Sequence, residues 1–111
     1  MMDADTWAAI EQLRRWLDAH HHAAGDDPVP LRILKIMEEA GEVAAAYHGV
    51  LGANPRKGVT HTLDDVRLEL CDVIATAAVA LATLCPDPQA EFRRHLDHLV
   101  QRALPPNTPR P

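Results

Sequence analysis

Five carboxylates at helical spacing carry the chemistry of this chain: Glu38, Glu39 and Glu42 in the stretch KIMEEAGEV, then Glu69 and Asp72 in LELCDVI. Residues three apart on an α-helix differ by about 60° around the axis, so Glu39 and Glu42 share a face, as do Glu69 and Asp72. Like charges held this close repel, and carboxylates set among apolar residues lose solvation. The arrangement therefore costs free energy that a divalent cation recovers. Hard oxygen donors without histidine or thiolate select Mg²⁺, with Mn²⁺ as a substitute, over zinc or copper. An iron-carboxylate site needs Glu-x-x-His repeats, which neither pair has.

Mg²⁺ keeps several waters and is held by a few carboxylates plus substrate phosphate oxygens, so this acid set points to a phosphate-processing site. The segment 49–61 contains Arg56 and Lys57 and no acidic residue, a local positive spot suited to a small polyanion. Arg56 and Lys57 are expected to neutralise departing phosphates, and Glu38 is the candidate auxiliary carboxylate beside the attacking water.

Helices must position these groups. Apolar residues at Trp7, Ile10, Leu13 and Leu17 predict a first helix over about 5–20, with Asp5 or Thr6 as N-cap. Gly25, two aspartates and two prolines then make a connection. A second helix over about 30–47 is apolar around much of its circumference, which predicts a central position. The glycines from Gly49 onward, with Asn54 and Pro55, predict a loop of about a dozen residues, long for a helix connection. Thr62 is the expected N-cap of a third helix with a core stripe of Val66, Leu70, Val73, Ala77, Leu81 and Leu84. Asp87 and Pro88 open a fourth that runs to about Ala103. If helices two and three pack antiparallel, the acid pairs face each other across a gap that fits one or two cations. The fold class is all-α: a four-helix domain over 1–104, then an extended, mobile proline-rich tail over 105–111.

The pattern Glu38-Glu39-x-x-Glu42, 26 further residues, then Glu69-x-x-Asp72 resembles the signature of the MazG-like all-α nucleoside triphosphate pyrophosphohydrolases, EExxE followed by ExxD. The resemblance covers residues 31–84, including Lys35 ahead of the first acids. It implies Mg²⁺-dependent hydrolysis of a nucleotide between its α and β phosphates, in a homodimer or homotetramer. By position, it implies Glu39, Glu42, Glu69 and Asp72 as metal ligands and Glu38 as the extra acid. Lys35, Asn54, Arg56 and Lys57 are the expected substrate-binding groups, the last three as a phosphate-binding turn. Trp7, Trp16, Tyr47 and Phe92 are the aromatics available to a base.

The bulk composition sets bounds. Of 111 residues, 47% are hydrophobic and only 4% aromatic, so the core is built from aliphatic side chains that suit close helices. A domain of this size buries about two-thirds of its unfolded surface, and oligomerisation is expected to supply the missing core. The net charge of −5 disfavours binding of polynucleotide or anionic membrane. With no apolar signal segment, no apolar run of membrane-spanning length and two cysteines that cannot pair along one helix, the chain reads as cytoplasmic. His20, His21 and His22 read as a surface cluster at a helix end. His48 and His61 read as flanks of the central loop, and Cys71 as a small core residue. A non-catalytic helical module that binds metal or a partner for structural reasons is the alternative function.

Overall fold

The computed structural model describes residues 2–21 and 25–109; His22 and Pro111, singled out by the sequence, lie outside them. Four α-helices and no strand are present among the described residues: α1 Ala4–Ala19, α2 Val29–Leu51, α3 Leu63–Leu84 and α4 Pro88–Ala103.

Local chemistry sets most of the boundaries. Thr62 and Asp65 form a reciprocal capping box that starts α3, and the Asp87 side chain accepts from the Ala90 N–H ahead of Pro88 at the start of α4. Three boundaries differ from expectation. Asp3, not Asp5 or Thr6, caps α1 by accepting from the Thr6 N–H at 2.9 Å. The α2 helix runs one turn beyond Tyr47, through Gly49, and ends at Gly52, whose left-handed φ of 61° lets its N–H reach the carbonyls of His48 and Gly49. The tail folds back at 105–108, where the Thr108 N–H donates to the Pro105 carbonyl at 3.0 Å, rather than running extended.

The α2 and α3 helices form an antiparallel hairpin. Arg32 Nη1 donates to Thr83 Oγ1 at 2.8 Å at one end, and the Thr60 N–H donates to the Gly49 carbonyl at 3.0 Å at the other. Centrality belongs to α3, which packs on α2, α1 and α4, whereas α2 packs closely on α3 alone. The reason is that α1 crosses the C-terminal half of α3, where Trp7 and Ile10 bury against Ala78, Val79 and Ala82. The chain then turns through 114° into α4, which lays Phe92 edge-on against Trp7 at 6.1 Å.

This packing bears out half of the expected α3 stripe: Leu81 packs against the core, and Val66 and Val73 are half-buried. Ala78, Val79, Ala80 and Ala82 are the buried residues, while Leu70, Ala77 and Leu84 are exposed, as is Cys71. On helical wheels aligned at Glu39 and Glu69, one side of the hairpin carries α1 and the other carries no charge. The bare side presents Ile33, Ala40, Tyr47 and Leu51 of α2 beside Leu63, Leu70, Ile74 and Leu84 of α3, all exposed. The fold is correspondingly thin: it measures 49 × 47 × 22 Å with a radius of gyration of 17.4 Å, against about 13 Å for a compact domain of this length. No single helix among the described residues is long and apolar enough to cross a membrane.

Candidate metal centre and adjoining cleft

Antiparallel pairing sets Glu39 of α2 opposite Glu69 and Asp72 of α3. One carboxylate oxygen from each of the three lies within 4.8 Å of the other two, within reach of a single cation. Glu39 is 8% exposed and Glu69 is half-buried, while Asp72 opens to solvent. Glu69 Oε2 is buried and has no hydrogen-bond partner. A buried carboxylate oxygen without a donor is costly, and a hard cation is the chemical group that suits an all-oxygen set of this kind.

The remaining predicted acids stand around this triad. Glu42 is exposed beside it, and the charge of Glu39, then a hydrogen bond shared with Glu69 and the Glu69 charge, push its carboxyl above its ordinary value. Glu38 lies outside the triad and is exposed. Lys35 bridges the two parts, with its Nζ 3.3 Å from Glu39 Oε1 and 3.8 Å from Glu38 Oε2. Its pKa is raised, first by the bond to Glu39 and then by the Glu38 charge, which favours the ammonium form.

One turn toward the start of α2, a cleft of about 560 Å³ opens between α1, α2 and α3, a volume typical of small-molecule sites. Leu13, Trp16, Leu31 and Val79 give it apolar walls, and Lys35 and Thr76 stand at its acid end, one turn from Glu39 and Asp72 respectively. Of the four aromatics the sequence offered, only Trp16 reaches this cleft. Trp7 and Phe92 are committed to the core, and Tyr47 lies on the bare side. Trp16 stacks on His20 at 4.0 Å, and both His20 and His21 line the cleft.

Arg32 has no counterpart in the sequence reading. Its side chain is 11% exposed; Nη2 pairs with Asp18 Oδ1 of α1 at 2.6 Å while Nη1 holds Thr83 of α3, so one guanidinium fixes the three helices that form the cleft. No local pattern in the sequence signals it, because its partners lie on two other helices.

The loop residues gather elsewhere. Asn54 and Lys57 line a separate hollow against the end of α2, and Arg56 is exposed outside it. Asn54 Oδ1 accepts the Arg56 N–H at 3.0 Å, so this side chain shapes the turn. Comparison with protein-family models, characterised proteins and solved structures finds no match for this chain.

Proposed function

We propose that this chain is a cytoplasmic, MazG-like nucleoside triphosphate pyrophosphohydrolase that converts a (deoxy)nucleoside triphosphate to its monophosphate and pyrophosphate. The observation that carries the reading is the convergence of Glu39, Glu69 and Asp72, with Glu69 Oε2 buried and unpartnered, at the end of an apolar cleft. Glu39, Glu69 and Asp72 would hold Mg²⁺, and Glu42 would join them from the adjacent turn. When bound, Mg²⁺ neutralises substrate phosphate charge and makes a neighbouring water more acidic.

The chain's own side chains do the rest. The cleft takes the nucleoside, with Trp16 as the stacking surface and Leu13, Leu31 and Val79 excluding water. Lys35, held between cleft and acids, places a positive charge where the first phosphate must lie. Glu38, exposed and outside the ligand triad, accepts the proton of the attacking water at its carboxylate. The water oxygen bonds to the α-phosphorus, the α–β bridge breaks, and the bridging oxygen leaves with pyrophosphate.

The charge-free side of the α2–α3 hairpin lies opposite the acids, so two copies can pair there without covering the site. That arrangement is a homodimer, or a homotetramer built from such pairs. The test is a pyrophosphate-release assay with Mg²⁺ over a panel of ordinary and modified triphosphates. Release by the wild type and loss in Asp72→Ala supports the assignment; equal release by Asp72→Ala overturns it.

A further inference from the structure

The hollow at the end of α2, about 450 Å³, is built by His48 and Gly49 of the helix and by Asn54, Lys57, Thr60 and His61 of the loop. Its charge balance is unusual for this protein. Seven of the described cationic side chains, Arg14, Arg15, Arg32, Lys35, Arg67, Arg93 and Arg94, are ion-paired with carboxylates. Arg56, Lys57 and Arg102 are not, and of these Arg56 and Lys57 are adjacent in one loop. No acid lies between Gly49 and His61 to pair with them. An unpaired lysine beside two imidazoles, a hydroxyl and an amide is a donor set that matches an oxyanion.

The hollow is also held in shape. The Thr60 N–H donates to the Gly49 carbonyl at 3.0 Å, Thr60 Oγ1 and His61 Nδ1 are hydrogen-bonded at 2.9 Å, and the Gly58 N–H donates to the Asn54 carbonyl at 2.9 Å. Gly49 makes the approach of the loop feasible. A Cβ there would overlap the His61 imidazole and stand 2.5 Å from Thr60 Oγ1.

Its position relative to the acids gives it a role. Leu31, Lys35, Glu38, Glu42, Ala45 and Gly49 recur at alternating spacings of four and three, so they form one flank of α2. Leu31 and Lys35 line the apolar cleft, Glu38 and Glu42 lie at the acids, and Ala45 and Gly49 line the hollow, which begins one turn past Glu42. Cleft, acids and hollow are therefore in line along a single helix.

We propose that this hollow is a binding subsite for the terminal phosphates of the substrate, and thus for the departing pyrophosphate, with Lys57, His48, His61 and Thr60 as the contacting groups. The assignment rests on the proposed hydrolase reading for its role, while the oxyanion chemistry of the hollow stands on its own residues.

The experiment titrates sodium pyrophosphate, without Mg²⁺ or nucleotide, into the full chain and follows backbone and imidazole NMR signals. Shifts centred on Lys57, Thr60, His48 and His61 are expected. Lys57→Met and His61→Ala should each weaken binding about tenfold. In the active enzyme the same variants should raise the KM for a triphosphate and leave inhibition by the monophosphate unchanged, since only the triphosphate reaches the hollow. Shifts at Glu39 or Lys35 in place of the loop, or unaltered pyrophosphate affinity in both variants, would overturn the proposal. Loop binding of pyrophosphate in a protein that hydrolyses no nucleotide would uphold the oxyanion site and remove the hydrolase reading instead.

Discussion

On the proposed pairing through the charge-free side, replacing Ile74 with glutamate should split the assembly while sparing the fold of the single chain. Ile74 is 54% exposed and Leu70 47% exposed in the single chain, so neither contributes a fully buried contact to its own fold. The accessible surface of the subunit is 8278 Å², whereas a folded monomer of 12.2 kDa exposes about 6,100 Å². The excess of about 2,200 Å², summed over the whole chain, is more than the roughly 800 Å² per partner that a stable interface buries, so pairing of two copies has area to draw on. A two-fold contact buries the introduced carboxylate twice. At about 3 kcal/mol for each unpaired charge, dimerisation weakens by about 6 kcal/mol, or about ten-thousand-fold in Kd. Sedimentation equilibrium at micromolar concentration reads this directly. The wild type should sediment at twice the subunit mass or a multiple of that, and Ile74→Glu at the subunit mass with unchanged helical circular dichroism. A monomeric wild type, or a variant that still pairs, would refute the argument from exposed area.

Four other outcomes follow from the same structure. Glu42 has its carboxyl raised above 4.5 by Glu39 and Glu69, so its ionisation destabilises the metal-free fold above that pH and the penalty vanishes below it. Glu42→Gln should therefore melt higher than the wild type at pH 7 without Mg²⁺, match it near pH 4, and gain less from added Mg²⁺, all measurable by thermal melts. The depressed carboxyls of Asp3 and Asp65, each lowered first by a bond from the backbone, hold their helix caps until the pH falls below 3.8, so they do not obscure that window. Arg32→Ala removes the mostly buried clamp between three helices; with Asp18 partly in solvent, the cost should be about 2 kcal/mol, read by chemical denaturation. Thr62→Ala breaks the capping box of α3 and should cost about 1 kcal/mol in the same assay. Gly49→Ala forces His61 and Thr60 off α2 and should cost about 1–3 kcal/mol while weakening pyrophosphate binding.

What the sequence could show depended on the range of the physics involved. Thr62 with Asp65, and Asp87 with Pro88, set their boundaries through bonds within one turn, so α3 and α4 start where expected. The acid cluster was also legible. Spacing of three on each of two helices, once these pair antiparallel, brings Glu39, Glu69 and Asp72 together, with Glu42 one turn aside. Gly49 looked like a breaker because its lack of a side chain serves a tertiary contact with His61 and not a turn. Leu70 and Leu84 looked like core because apolar periodicity marks surfaces to be buried without saying whether the partner is the same chain. Arg32 was invisible because its partners lie on α1 and at the far end of α3.

Phosphorus NMR of the purified protein with Mg²⁺ and a panel of nucleoside triphosphates tests the central claim most directly. The account predicts pyrophosphate and a nucleoside monophosphate in equal amounts from at least one substrate, and none from Glu69→Gln. Orthophosphate with a diphosphate, or the same pyrophosphate yield from Glu69→Gln, would contradict it.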